Sequence, residues 1–319
     1  MSALFTSSVG PHIERFLAHK RALGRAYYRE EAFLREIDRF ARCEQSEFLS
    51  ERLVRAYLSS FGQRARPSRL TVIHQMARFL VFEEPRTFIP PSRFLGIHRE
   101  RPVIRVLSRD EVRRFLDACD HLPPTSSFVR HVVHGMALRV LLLTGLRRGE
   151  VIHLKNQDVD LDQSVLHVRG KFGKMRIVPI TPDLAQSLRA YRRRIKAELK
   201  HDAPTDAFFP GSDGRRPIAC KSLYKTFRCV LRTGGIEHGG RGKGPRIHDL
   251  RHTFAVLRLL SWYESNADLG AKLPLLATYL GHVGMVTSQV YLHMTRDLVG
   301  EVIRREMDRF GDLITEVSP

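Results

Sequence analysis

The sequence Ile247-His248-Asp249-Leu250-Arg251-His252-Thr253 lies in the last third of the chain, followed by Leu280-Gly281-His282 and then by Tyr291. Because His248 and Arg251 are three residues apart, both can point at one anion from the same face of a helix. Tyr291 supplies a latent oxygen nucleophile. Cationic side chains around such a group suit a phosphodiester better than a sugar or a peptide.

A second arginine-containing segment, Thr144-Gly-Leu-Arg-Arg-Gly-Glu150, follows the apolar run Val132–Leu143. That run predicts a buried helix, so Arg147 emerges where a rigid core helix ends. Glu150 lies three residues further on, where it can orient the guanidinium of Arg147. Arg148 is the competing candidate, and an ordinary surface ion pair is the alternative interpretation.

Alternation of apolar and polar residues between 157 and 180 predicts short strands joined by turns. The turn Gly170-Lys-Phe-Gly-Lys174 places two lysines at a hairpin tip. Either lysine could reach a leaving oxygen, although a solubilising turn is the simpler interpretation. The glycine-rich, basic stretch 234–243 contains Arg241 and Lys243 and predicts a loop that approaches a nucleic-acid backbone.

The length and charge of the chain limit its class. At 319 residues, two domains are expected, and a net charge of +19 indicates a polyanionic partner, with nucleic acid as the first candidate. The four cysteines form no CxxC pair, which fits a reducing compartment. We see neither a signal peptide nor an apolar run long enough to span a membrane, so we expect a cytoplasmic protein without a membrane partner.

Residues 1–98 show four successive amphipathic helical patterns, which predict a small all-helical domain. Arg64, Arg66 and Arg69 cluster at the start of the fourth helix, where side-chain charge and helix-terminal N–H groups could both meet phosphate. A solvated basic loop is the alternative.

Prolines and Gly96 interrupt the helical pattern between 85 and 102. We place an interdomain linker at 99–106, where Arg99 and Arg101 could follow a DNA backbone. Ser108 and Glu111 then form a predicted capping box that opens a second domain, 107–319.

The histidines do not predict a metal site. His248 and His252 have the spacing of a helical zinc pair, but Asp249 stands where a zinc protease needs glutamate, and no third ligand is evident. His131 and His134, within the predicted buried helix, are interpreted as structural.

Together, the segment 144–150, Lys171, His248-Asp-Leu-Arg251, Leu280-Gly-His282 and Tyr291 resemble the ordered motifs of the tyrosine recombinases, also called the phage integrase family. The resemblance covers the whole second domain. It implies a mainly α fold with a small antiparallel β-sheet. A helical, SAM-like core-binding domain would precede an α+β catalytic domain.

The resemblance also implies a role for each matching residue. Arg147 and Arg251 would clamp the scissile phosphate, His282 would donate to it, and His248 would assist as a base or hydrogen-bond partner. Lys171 would protonate the leaving 5′ oxygen, Tyr291 would form a 3′-phosphotyrosine, and Glu150 would position Arg147. Neither a cofactor nor a metal is required.

Two features depart from the family pattern. The hairpin lacks the frequent Gly-Lys-Gly sequence, so Lys174 remains a rival to Lys171. The interval from Arg251 to His282 is long, which is similar to transposon-borne recombinases more than to chromosome-dimer resolvases. Because the four helical patterns begin close to the first residue of the sequence, we expect no additional arm-site DNA-binding domain before them.

The expected function is site-specific recombination of double-stranded DNA, in the integration, excision or transposition of a mobile element. A homotetramer on DNA is expected, alone or with related recombinases. Val302, Ile303, Met307 and Phe310 give the C-terminal tail an apolar face that could dock on a neighbouring subunit or on its own. The alternatives are a type IB topoisomerase-like enzyme and a catalytically silent DNA-binding protein on the same fold.

Overall fold

The structure, a computed structural model, describes residues 5–97, 103–124, 128–170, 175–198, 206–240 and 244–281. The chain forms two compact units, unit 1 (Met1–Arg101) and unit 2 (Pro102–Pro319). The described residues are mainly helical, with one small antiparallel sheet in unit 2, which confirms the predicted fold class.

Unit 1 is built from helices α1 (Gly10–Ala22), α2 (Tyr28–Cys43), α3 (Glu51–Ser59) and α4 (Arg66–Leu80). The apolar stripe of each helix faces a common core, because only burial against its neighbours removes such a stripe from water. The core side chains include Ile13, Phe16, Leu34, Ile37, Leu53, Tyr57 and Ile73.

The proline-containing segment after α4 also belongs to unit 1 as far as it is described. Phe94 and Ile97 are buried in the unit 1 core, and a single 3₁₀ turn spans Phe94–Gly96. His74 of α4 contacts the carbonyl oxygen of Pro90 through its Nδ1, at 2.8 Å.

In unit 2, α5 starts at the predicted capping box. The backbone N–H of Glu111 donates to Ser108 Oγ at 3.1 Å, and the N–H of Ser108 donates to the Glu111 carboxylate at 2.8 Å. The helices of unit 2 are α5 (Arg109–Asp120), α6 (Phe128–Thr144), α7 (Arg148–Ile152), α8 (Pro182–Glu198), α9 (Cys220–Thr233), α10 (Ile247–Glu264) and α11 (Leu269–Leu280).

The sheet has the order β1 (Val159–Asp160), β2 (Val165–Arg169), β3 (Met175–Pro179), with antiparallel neighbours. Leu166 pairs with Val178, and both are buried. Period-two alternation leaves Met175 and Ile177 of β3 exposed.

Helix α6 is the centre of unit 2. It packs against α5, α8, α9 and α10. Its side chains Ala137, Leu138 and Val140 are fully buried, as expected for a helix that is apolar on most of its faces. The chain leaves this helix at Thr144 and turns at Gly145, so the residues that follow start from a fixed point in the core.

Helices α10 and α11 share a separate apolar cluster, named here the α10–α11 cluster: Ala255, Val256, Leu259, Leu276 and Leu280. The side chain of Trp262, near the end of α10, packs against it. Helix α11 begins at Leu269, because Asp268 caps it by accepting from the N–H groups of Gly270 and Ala271.

No helix in the described ranges is long and apolar enough to cross a membrane.

Candidate active site

The turn after α6 delivers Arg147. Gly145 has a φ of +61°, and a Cβ there would lie 2.6 Å from the ring of Phe254 and 3.0 Å from a methyl group of Leu280. A glycine therefore lets the chain pass close to both α10 and α11. Leu146 is buried, and Arg147 caps the N-terminus of α7.

Glu150 holds Arg147 at two points. Its carboxylate accepts from the backbone N–H of Arg147 at 2.8 Å and from Arg147 Nη1 at 2.9 Å. The Glu150 side chain is only 6% exposed. Arg148, the competing candidate, is exposed, whereas Arg147 points into the convergence of helices described below.

The same carboxylate accepts a second guanidinium, from Arg176 of β3. Arg176 Nη1 and Nη2 donate to the two oxygens of Glu150 at 3.0 and 2.8 Å. Burial raises the pKa of Glu150, but the hydrogen bonds from Arg176 and Arg147 outweigh this effect and hold its pKa below the ordinary value. Glu150 is therefore an ionised bridge between two cations at neutral pH.

Arg251, on α10, is buried, with an exposed fraction of 2%. Its Nη1 donates to the carbonyl oxygen of Gly145 at 2.9 Å, and its Nη2 donates to that of Leu280 at 2.7 Å. These two contacts tie α10 to the turn after α6 and to the end of α11.

Three guanidiniums thus meet at the C-terminus of α11. Arg176 donates to the carbonyl of Tyr279 at 2.9 Å, Arg251 to that of Leu280, and Arg147 to that of Gly281 at 2.8 Å. Carbonyls in the last turn of a helix lack intrahelical partners, and the helix dipole favours positive charge there. This C-terminus consequently gathers Arg147 and Arg251 on adjacent peptide units, immediately before His282.

The first turn of α10 is fixed from both sides. The buried Asp249 accepts from the backbone and guanidinium of Arg246, at 2.6 to 3.0 Å. Thr253 Oγ1 donates to the Asp249 carbonyl at 2.8 Å and accepts from the N–H of Leu107 at 3.0 Å. His248 is therefore presented from a rigid turn.

His248 and His252 lie on one face of α10, with ring centroids 4.8 Å apart. Although the His248 side chain reaches solvent, crowding by protein atoms lowers its pKa, and the charge on Arg251 lowers it further while Asp249 opposes the shift. Burial lowers the pKa of His252 to about 4, with His248 as the next contributor. Neutral imidazoles at pH 7 suit a base or hydrogen-bond partner.

Within the described ranges, no group of three or more His, Cys, Asp or Glu side chains is arranged to hold a metal ion. His134 is buried and contacts Thr226 Oγ1 through its Nδ1 at 2.7 Å, which is a structural role.

Of the predicted site residues, the structure brings together Arg147, Glu150 and Arg251, and places His248 on the same helix as Arg251. The other predicted residues of the site and the basic segments lie outside the described ranges: Lys171, Lys174, His282, Tyr291, Arg99, Arg101, Arg241 and Lys243. The apolar face predicted for the tail lies outside them too.

The three arginines predicted at the start of α4 differ in their surroundings. Arg64 is exposed, whereas Arg66 Nε donates to the carbonyl of Phe61 at 2.7 Å. Arg69 forms a two-point pair with Glu36 at 2.9 and 3.0 Å and lies over the Phe61 ring at 3.8 Å. Arg69 thus has a structural role within unit 1, and its contact with phosphate remains a prediction.

Two features were missed by reasoning from the sequence. One is Arg176. The sequence feature that could have revealed it is a charged residue two positions before the buried Val178, and therefore on the same face of the strand. The other is the basic face of α9, a helix without an acidic residue. Lys225, Arg228, Arg232 and His238 line a cavity of about 430 Å³ there.

A second open cavity, of about 480 Å³, lies beside Arg147. Its lining includes the cationic side chains of Lys155 and Arg169, two histidines, and the carboxylates of Glu150 and Asp158. Lys155 and Arg169 therefore add positive charge next to the clustered arginines, partly offset by the two carboxylates.

Comparison with known proteins shows the family. Residues 105–297 match the phage integrase family. The protein y4rB of Sinorhizobium fredii (strain NBRC 101917 / NGR234), whose name assigns it to the integrase/recombinases, is 32% identical over 94% of this chain and 97% of its own. The chain belongs to the phage integrase family, the tyrosine recombinases, whose members are DNA breakage and rejoining enzymes.

Two solved structures share the fold. The Tn1549 transposon integrase in complex with transposon right-end DNA has a TM-score of 0.60 and 14% identity, covering 94% of this chain and 99% of that one. A lambda integrase tetramer bound to a Holliday junction has a TM-score of 0.57 and 17% identity, covering 89% and 76%.

Proposed function

We propose that this chain is a site-specific recombinase that cuts and rejoins duplex DNA through a 3′-phosphotyrosine on Tyr291. The observation that carries the proposal is the convergence of Arg147 and Arg251 on neighbouring carbonyls at the end of α11. Two fixed guanidiniums side by side form a preorganised clamp for the two non-bridging oxygens of one phosphate.

The chemistry follows from this clamp. A tyrosine hydroxyl has a pKa of about 10, so it needs help to lose its proton as it attacks phosphorus. The phosphate gains negative charge in the transition state, and Arg147 and Arg251 stabilise that charge without reorganising. His248, kept neutral by its surroundings, assists the proton transfer.

The remaining roles rest on the family motifs. His282 follows directly on Gly281, whose carbonyl Arg147 holds, and donates to the same phosphate. Lys171, or its rival Lys174, protonates the leaving 5′ oxygen. The phosphotyrosine bond conserves the energy of the phosphodiester, so the strand can be rejoined without ATP or a metal.

Assembly and biological role are the finer parts of the proposal. A tetramer on DNA is supported by the shared fold with the lambda integrase tetramer on a Holliday junction. Work on a mobile element is supported by the similarity to the Tn1549 transposon integrase. We place its action at the nucleoid, in the cytoplasm.

A covalent-adduct assay tests the function. The protein is incubated with DNA from the flanks of its own gene, denatured and digested, and mass spectrometry looks for a nucleotide on the peptide that contains Tyr291. An adduct in the wild type that is absent from Y291F supports the proposal and maps the cleavage site. Tight binding to the same DNA without an adduct would contradict it in favour of a silent binder.

Supercoiled plasmid lacking those flanks provides the second arm. A recombinase that needs its site leaves this plasmid supercoiled, whereas relaxation by wild type but not by Y291F would indicate a topoisomerase-like enzyme.

A further inference from the structure

Arg176 occupies an unusual position for a charged residue. It lies on β3 between the exposed Met175 and Ile177, on the same face as the buried Val178, and its side chain is only 12% exposed. The segment 171–174, which contains both candidate lysines, directly precedes β3 in the chain.

The guanidinium of Arg176 connects three elements of unit 2. Nη1 and Nη2 donate to the two oxygens of Glu150, beside α7's N-terminus, and Nε donates to the carbonyl of Tyr279 at the end of α11. The group also lies against Gly281, where an added Cβ would be 3.0 to 3.2 Å from its atoms. The Glu150 carboxylate in turn accepts a hydrogen bond from Arg147, which links Arg176 to Arg147.

These contacts argue against direct binding of DNA by Arg176. All three of its guanidinium nitrogens donate to protein oxygens, and two of them donate to the buried carboxylate of Glu150, whereas Arg251 donates to neutral carbonyls. A phosphate that replaced Glu150 as the partner would leave that buried carboxylate without one of its two cations. Arg176 can therefore affect the reaction only through the groups it holds.

We propose that Arg176 is a positioning residue for strand cleavage: it fixes Glu150 and the end of α11 together, so that Arg147 and the chain after Gly281 keep their places at the phosphate. The inference rests on the proposed function. A planar guanidinium suits this task because it holds the carboxylate at two points and the carbonyl at a third.

Lysine and methionine separate the parts of this role. R176K keeps the positive charge but loses the planar, forked guanidinium that holds the Glu150 carboxylate at two points. R176M removes both the charge and this fork. With Arg176 gone, burial of Glu150 is opposed only by Arg147, so the pKa of Glu150 rises. Glu150 must be ionised to hold Arg147. As the pH falls, R176M should therefore lose cleavage activity at a higher pH than the wild type does.

Arg114 provides a matched control in the same unit. Its guanidinium also joins a carboxylate, Asp110 at 3.0 Å, to helix-terminal carbonyls, those of Gly234 and Gly235 at 2.8 and 3.0 Å. R114M therefore removes contacts of the same kind, though more exposed, away from the clustered arginines.

The experiment measures binding and single-turnover cleavage of the gene-flanking DNA by the full-length variants between pH 5 and pH 9. We expect R176M to bind DNA as the wild type does but to cleave on the order of 100-fold more slowly, since small displacements of reacting groups cost about that much. Its rate should recover partly at high pH, R176K should be intermediate, and R114M should cleave as the wild type does.

Cleavage by R176M at the wild-type rate and with the wild-type pH profile would overturn the inference. So would an equal loss in R114M, which would indicate general destabilisation. If R176M does not fold, R176K decides: a slower rate with unchanged binding supports the inference, and a wild-type rate overturns it.

A measurement without DNA keeps this inference separate from the proposed function. If wild type forms no adduct, the function fails, but carboxyl-carbon NMR of Glu150, assigned with E150Q, still reports on the connection. A pKa of Glu150 that rises in R176K supports the role of the fork in holding it, and an unchanged pKa contradicts that role.

Discussion

Gly281 meets two requirements at the end of α11. Its φ of +68° is costly for a residue with a side chain, and the Arg176 guanidinium fills the space that a Cβ would enter. Gly24, after α1, has a similar φ of +72°, but nothing lies within 4 Å of its Cβ position. A comparison of substitutions at the two glycines therefore separates the effect of backbone strain from that of contact with the arginine cluster.

We predict that G281A and G24A each lose about 1 kcal/mol of stability from the left-handed backbone. G281A should lose more, because the guanidinium must also move, and its cleavage of flanking DNA should fall while that of G24A does not. Chemical denaturation and single-turnover cleavage measure the two effects. Equal cleavage by both variants would show that the contact at Gly281 is unimportant.

The hydrogen bond between the His134 ring and the Thr226 hydroxyl joins α6 to α9, and His134 is only 3% exposed. Burial lowers the pKa of His134 from 6.5 to about 4, with Arg130 as the lesser cause. Because the unfolded chain then binds the proton more tightly than the folded one, stability falls as the pH drops from about 6.5 towards 4.

We predict that this loss, on the order of 3 kcal/mol for unit 2, is mostly absent in H134N, whose amide can still reach Thr226. Denaturation of both proteins at several pH values measures it. A pH dependence that persists unchanged in H134N would contradict the assignment.

The exposed face of helix α9 carries positive charge that no acidic residue of the helix balances. Lys221, Lys225, Arg228 and Arg232 are exposed, and the helix has no acidic residue. We predict that R228Q reduces the slope of log affinity against log salt by about 1 for a duplex of arbitrary sequence, because one phosphate contact is lost.

Arg35 offers the comparison for that measurement, because it is paired with Glu31 on α2. R35Q changes the net charge of the chain equally but should leave the slope nearly unchanged. If both variants reduce the slope alike, the effect belongs to total charge and not to α9.

Elements were easier to predict than the connections between them. The capping box at Ser108 and the short strands follow from local patterns, and the structure has them within a few residues. Asp268 is a capping signal for the start of α11, but the proline at 274 obscures the helical pattern that follows it. Long-range pairs such as Arg176 with Glu150 depend on packing and leave little trace in sequence spacing.

The lengths of α10 and α11 account for the long interval between Arg251 and His282. Helix α10 continues to Glu264, about 20 Å beyond Arg251 along its axis, and α11 returns. Additional residues in this interval therefore lengthen a helical pair at the end away from the arginines, which leaves the geometry around Gly281 intact.

For the whole molecule, the relevant feature is that each unit has a core of its own. We predict two separable unfolding transitions in calorimetry. Leu53 in unit 1 and Leu138 in unit 2 are both buried, so L53A and L138A should each destabilise one unit by about 3 kcal/mol.

Each variant should lower the temperature of one transition and leave the other in place. A single transition that both substitutions shift alike would show that the chain unfolds as one cooperative body, contrary to this expectation.

The position of Trp262 has a spectroscopic consequence. It is the single tryptophan of the chain, and it packs against the α10–α11 cluster, roughly 16 Å from Arg251 along the helix. Its fluorescence therefore reports on the packing of these two helices and of Val106, which contacts the same cluster. A shift in emission on adding DNA would reveal a change in this packing without any label and before any strand is cut.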